Sequence, residues 1–151
     1  MRARDLAAEV PTVDSGTNAL AAARLLSQEK LPGLIVVDDA GRPFTVLPGS
    51  QVLRYLVPQY VQDEPPLARA YDEKASDELC AKLTTSTVGE LLPAKPDLDE
   101  LPVVDHDATT IEVAAVMART HTPLVAVVDD DGRLVGGITV RHLLDRLLPD
   151  A

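Results

Sequence analysis

Apolar residues in this chain fall into short unbroken runs, each followed by an acidic turn, a second short run and a leucine-rich stretch at helical spacing. Leu124–Val128 is the clearest run. It is apolar without alternation, the pattern of a strand buried on both faces, and it is too short for a buried helix. Asp129, Asp130, Asp131 and Gly132 follow. Asp side chains bond nearby backbone amides and Gly accepts positive φ, so Leu134–Thr139 is expected to return antiparallel, as a hairpin. Thr139, Arg141 and His142 then stand where a leucine-rich helix begins. Side chains and free backbone amides meet there, which makes it a candidate ligand site.

The same pattern occurs earlier at a constant offset, from Val10 against Leu101 to Leu56 against Leu147, without a gap. Pro11, Val13, Asp14, Ala23, Pro32, Val36, Val37, Asp38, Asp39, Gly41, Arg42, Leu53 and Leu56 are each matched by an identical residue in the second copy. Identity at turn and strand positions together means that one supersecondary unit is written twice. Its order is strand, helix, strand, strand, helix.

In chain order, residues 2–8 read as a lead-in helix ended by Val10 and Pro11, because the residue before proline is pushed to extended geometry. Thr12 and Val13 form a brief strand. Asp14 and Ser15 give a helix-start signal, and residues 18–29 form a helix with Leu20, Ala23 and Leu26 or Ser27 on one face. Gly33–Val37 and residues 44–47 make the first hairpin, and residues 50–57 the second helix. In the second copy, Thr109 and Glu112 form a capping box, and Ile111, Val113, Ala114 and Met117 supply the buried face. Residues 57–86 match neither copy. Their prolines and charges mark a connector, and Leu67, Ala70, Tyr71, Cys80 and Leu83 predict one helix on the flank. Residues 87–92 mirror the lead-in helix, and residues 93–100 form a polar loop, a candidate for mobility. The expected organisation is residues 1–57 as the first repeat with its lead-in helix, 58–86 as the connector and 87–151 as the second repeat with its own.

With 151 residues, the chain is one ordinary domain or two units that share a core. No apolar run approaches the ~18 residues of a membrane span, and the charged start is unlike a signal peptide, so a cytoplasmic protein without membrane insertion is expected. The net charge is −10, and residues beyond 57 carry the excess acid. Aromatic residues are 3% of the chain, without Trp. With neither a basic stripe nor a stacking platform, nucleic-acid binding is set aside.

Catalytic patterns are missing from the sequence. Asp38–Asp39 and Asp129–Asp131 lie just before Gly in hairpins, which explains them as turn residues rather than acid–base or Mg²⁺ groups. There is no Gly-x-Ser-x-Gly elbow and no GxxxxGK[ST] loop. His106, His121 and His142 lack metal-ligand spacing. The single Cys80 reads as an ordinary reduced thiol. No catalytic or metal residues are assigned.

The twice-written unit, with VVDDDGRLVGGIT leading into a leucine-rich helix, resembles the cystathionine-β-synthase (CBS) domain, and two in tandem resemble a CBS pair, or Bateman module. The resemblance covers nearly the whole chain. It implies an α/β (α+β) fold in which two β-α-β-β-α repeats form a pseudo-two-fold pair of three-stranded sheets with flanking helices. It also implies two inter-repeat clefts and a homodimer. In many relatives the clefts hold AMP, ATP or S-adenosylmethionine as regulatory ligands, and occupancy controls an attached enzyme, transporter or channel. The family's ligand motif runs Gly-Ile-Val-Thr-x-x-Asp, with Thr at phosphate or ribose and Asp on the ribose hydroxyls. Here the second repeat keeps Thr139 but has His142 for Asp, while the first has Pro48 for Thr and Gln51 for Asp. Neither substitute carries the charge and acceptors of a carboxylate, so ribose affinity is expected to fall.

Arg141 is a candidate phosphate group, and Gly49 and Ser50 open the equivalent helix with little bulk. The expected ligand-binding residues are therefore Thr139, Arg141 and His142 in one cleft and Pro48, Gly49, Ser50 and Gln51 in the other. Two readings of function follow. One is a sensor that binds an adenosine-containing or other small anionic metabolite and signals to a partner. The other is a degenerate pair that dimerises or docks on a separate transporter or enzyme. A second copy is expected to bury the leucine-rich faces of Val52, Leu53 and Leu56, and of Leu143, Leu144 and Leu147.

Overall fold

A computed structural model describes residues 1–93 and 101–150. The polar loop expected over 93–100 lies, from residue 94 on, outside the described residues. The first repeat contains β1 (Thr12–Asp14), α2 (Ala19–Gln28), β2 (Gly33–Val37), β3 (Pro43–Pro48) and α3 (Gly49–Leu56), preceded by a short helix α1 (Ala3–Leu6). The connector holds α4 (Gln59–Asp63), a 3-10 turn (Pro65–Ala70), α5 (Glu73–Cys80) and a second 3-10 turn (Ala81–Thr84). A short α6 (Val88–Leu91) leads to β4 (Val103–Asp105), α7 (Thr110–Thr120), β5 (Leu124–Val128), β6 (Leu134–Thr139) and α8 (Val140–Leu147). Each repeat has a three-stranded sheet, β1-β2-β3 or β4-β5-β6, with the first pair parallel and the second antiparallel.

The unbroken apolar runs are explained by two cores that meet at each middle strand. Leu34 and Val36 of β2 face the first repeat's own helices, whereas Ile35, pointing the other way, packs with Val46, Leu124 and Ala126 of the opposite sheet. In β5, Val125 and Val127 face the second repeat's helices. Because strand side chains alternate, a strand needs apolar residues at every position only when both faces are covered. The sheets therefore pack on each other through Ile35, Val46, Leu124 and Ala126, and the repeats share an interior.

The hairpin turns form as their composition demands. Asp38 Oδ1 accepts from the amides of Ala40 and Arg42, and Asp129 Oδ1 from those of Asp131 and Arg133. Gly41 and Gly132 take φ of 78° and 80°, which favours glycine. These carboxylates close turns.

The lead-in helices cross over. α1 precedes the first repeat, yet Ala3 and Leu6 are buried with Val104, Val113 and Ile138 of the second. The backbone follows: the Ala3 amide donates to the Ala108 carbonyl at 2.8 Å, and the Ala8 and Gly137 main chains exchange hydrogen bonds of 2.9 and 2.8 Å. A side chain at Gly136 would put Cβ 2.7 Å from the Ala8 carbonyl oxygen, so the close approach requires glycine. Reciprocally, Val88 and Leu91 of α6 lie in the first repeat's core, and the Val88 amide donates to the Thr17 carbonyl at 2.8 Å. Each short helix thus completes the repeat it does not belong to in sequence.

Several local expectations are corrected. The cap of α2 is Asn18, whose side chain accepts from the Ala21 amide, so the start lies later than Asp14 and Ser15 suggest. Its buried residues are Ala19, Ala22 and Leu26, with Leu20 and Ala23 only partly covered. Ile111 is 67% exposed; Val113 and Met117 carry the buried face of α7. Thr109 accepts from the Glu112 amide, which is one half of the expected capping box. The flank helix is broken: Tyr71 is extended, and neither the first 3-10 turn nor α5 has a buried residue. Without a surface to pack on, a long amphipathic helix has nothing to hold it together. Finally, Val52, Leu56 and Leu143 are buried within the monomer, which leaves Leu53 and Leu144 exposed.

Candidate ligand-binding clefts

The pseudo-symmetry produces a pair of clefts at the seam between repeats. The first, of about 320 Å³, is lined by Pro48, Ser50, Gln51 and Arg54 of the first repeat and by His121 and Thr122 of the second. The second, of about 390 Å³, is lined by Thr139, Val140 and Arg141 of the second repeat and by Lys30, Leu31 and Pro32 of the first. Each cleft is thus built from the strand-to-helix corner of one repeat and the turn after the first helix of the other. Ordered strands deliver the corner, because β3 and β6 end where α3 and α8 begin.

Of the sequence-derived residues, Pro48, Ser50 and Gln51 line the first cleft, and Thr139 and Arg141 the second. Gly49 faces an apolar groove between α2 and α3 instead. His142 does not line the second cleft among the residues around it. Its backbone amide donates to Thr139 Oγ1 at 3.1 Å, so Thr139 is the cap of α8. That bond uses an acceptor lone pair and leaves the hydroxyl hydrogen free to donate. Gln51 is also engaged: its Nε2 donates to the Leu91 carbonyl at 2.9 Å, tying α3 to the end of α6. The two residues in the family's carboxylate position thus behave differently, one as a strut and the other at a helix cap.

Lys30, Arg54 and His121 line the clefts and were not assigned to them from the sequence, where His121 was weighed only as a metal ligand. Lys30 and His121 occupy the same position in the two repeats and both adopt left-handed backbone, with φ of 53° and 54°. Two basic residues at equivalent positions just before Pro32 and Pro123 were a legible signal, but their backbone conformation was not.

Away from the clefts, His106 Nε2 lies 3.1 Å from Asp130 Oδ1, and its Nδ1 lies 3.6 Å from Asp107 Oδ1. Asp105, His106 and Asp107 offer ligand atoms within 4.8 Å of one another, a proximity that spacing alone did not suggest. Asp107 also pairs with Arg4, so this group acts as an ion-pair clasp on α1. The hydrogen bond that the His106 ring donates to Asp130 raises its pKa above the ordinary 6.5, with help from the charges of Asp107, Asp105 and Asp130; partial burial opposes the rise.

Two β-α-β-β-α repeats with exchanged lead-in helices and paired seam clefts define a duplicated α+β module. The CBS-domain family model matches residues 3–50 and 88–149, and the chain belongs to that family. It is similar to a crystallised CBS-domain-containing protein of unknown function from Kribbella flavida, with 49% identity over 99% of both chains and a TM-score of 0.81. CBSX2 from Arabidopsis thaliana shares the fold, with 21% identity, 96% of this chain and 92% of that one covered, and a TM-score of 0.70. A structure of CBSX2 in complex with AMP matches at 22% identity, over 96% and 94% of the two chains, with a TM-score of 0.66. No curated protein matches the chain. CBS-pair proteins are generally regulatory, non-catalytic modules. Among the described residues, no helix is long and apolar enough to cross a membrane.

Proposed function

We propose that this chain is a non-catalytic sensor whose inter-repeat clefts take an adenosine-containing or other small anionic metabolite and pass the event to a partner enzyme or transporter. The observation that carries the reading is the second cleft, where Arg141 and the free hydroxyl hydrogen of Thr139 from one repeat face Lys30 from the other. A ligand there touches both halves, so its binding energy can bias the angle between them. The volumes of both clefts suit a small molecule. The AMP complex of CBSX2 supports adenine nucleotides as the first class to test, by analogy of fold.

The test is a thermal-shift series with AMP, ADP, ATP, S-adenosylmethionine and NADH. A ligand at 100 times its dissociation constant adds about 2.7 kcal/mol to folding stability. At least one compound should raise the melting temperature, and the Arg141→Ala chain should lose that rise. No rise with any of them contradicts the sensor reading.

The docking alternative has its own support. Apolar grooves run between α2 and α3 and between α7 and α8, with Leu53 and Leu144 exposed at equivalent positions beside them. The Gln51 strut further reduces what the first cleft can offer to a ribose. In this reading the grooves join a second copy, and the pair serves as a docking piece.

A further inference from the structure

The two lead-in helices join their host repeats alike along the main chain and differently through side chains. The Arg4 amide donates to the His106 carbonyl at 3.0 Å and the Gly89 amide to the Ser15 carbonyl at 2.9 Å, so Arg4 and Gly89 hold equivalent places. In α1 that place carries a charge. Arg4 pairs with Asp107, and the Arg2 guanidinium donates to the Asp107 carbonyl at 3.1 Å. In the first repeat the positions of His106 and Asp107 are taken by Ser15 and Gly16, and Gly89 has no side chain, so this ion pair has no counterpart at α6.

The chain beyond each helix differs as well. β6 is an edge strand of its sheet, and Ala8 covers that edge by exchanging hydrogen bonds of 2.9 and 2.8 Å with Gly137. The residue in Ala8's place after α6 is Pro93, which has no amide hydrogen to donate. Gly137 lies two residues before Thr139, which ends β6 and caps α8. The N-terminal segment therefore runs from an ion pair on the loop after β4 to the strand that delivers a cleft corner. α1 has only four residues, too few to persist alone, so tertiary contacts hold it and it can open locally while the rest stays folded.

We infer that residues 2–8 form a charge-held strap on the second repeat, fastened by Arg2 and Arg4 to the loop after β4, and that its closure steadies β6 and the Thr139 corner. The control acts on one half of the pair, because the first repeat lacks both the ion pair and the edge bonds. What a ligand in the second cleft would feel of the strap rests on the sensor reading. The coupling of strap to strand does not.

Hydrogen exchange of the full chain without ligand, at low salt and at about 1 M salt, tests that coupling. High salt screens the exposed pair, and Asp107→Asn removes its anion while keeping the carbonyl that Arg2 uses. Each should speed exchange of residues 3–8 about two- to fivefold, the worth of an exposed ion pair, and that of residues 134–142 with it. α6, β2 and β3 should keep the parent's rates, and the Asp107→Asn chain should lose the response of residues 3–8 to salt. Gly136→Ala presses on the Ala8 carbonyl from the strand side and should open residues 3–8 with every charge in place, since coupling is reciprocal. Faster exchange in residues 3–8 alone, in all elements alike, or nowhere overturns the inference. The sensor reading would be untouched by any of these, because no ligand enters the measurement.

Discussion

His106 shows how a single side chain can hold distant segments together. Its ring faces Asp130 from the β5–β6 turn and Asp105 and Asp107 from its own loop, and its carbonyl accepts from the Arg4 amide at 3.0 Å. The side chain is 22% exposed, so solvent weakens these attractions without removing them. The folded state raises the imidazole pKa, first through the hydrogen bond with Asp130. The folded state therefore binds the proton more tightly than the unfolded one. The stabilisation is fully present below the ordinary value of 6.5 and disappears as pH climbs through the raised folded value. Melting curves from about pH 6 to about pH 8.5 should show the parent losing more stability than Asp130→Asn over that interval. Parallel pH curves for the two proteins would remove His106 from this role.

The exchange of lead-in helices is the main lesson among the elements. Leu6 is fully buried in the second repeat's core although it precedes the first repeat in the chain. Leu6→Ala should cost about 2–5 kcal/mol in denaturant unfolding. Hydrogen exchange should report the loss of protection first in β5 and β6, not in β2 and β3; the reverse order would mean that α1 belongs with its sequence neighbours. The repeat register, the hairpins and the acidic turns were legible because their signals are local: Asp and Gly act on the next few amides, and alternation states how many faces a strand buries. The exchange was not legible, since Ala3 and Leu6 suit either core. The broken connector was also hidden, because Leu67 and Tyr71 keep helical spacing without a surface to pack on. In the clefts, the strand-to-helix corners could be read from the motif, whereas Lys30 and His121 are supplied by the opposite repeat and only the packing brings them in.

For the whole molecule, the arrangement is two halves joined through Ile35, Val46, Leu124 and Ala126, with clefts at the seam and apolar grooves outside. With Leu147 half-buried, burial of Val52, Leu56 and Leu143 inside the monomer leaves Leu53, 62% exposed, and Leu144, 45% exposed, as the exposed leucines of the two faces. Pseudo-symmetry places them at equivalent positions, so one patch can meet its own image, as a two-fold dimer requires. Light scattering should find a dimer for the parent and a monomer for the Leu53→Asp, Leu144→Asp chain. An unchanged mass would place the interface elsewhere.

A ligand that bridges the two halves at the seam is tested most directly by amide chemical-shift mapping during titration with AMP. Perturbations should gather at residues 30–32 and 139–141, on both sides of the second cleft, with a weaker set at residues 48–54 and 120–122. Perturbations confined to the connector or to the outer grooves, or to one repeat alone, would contradict a ligand that bridges the two halves.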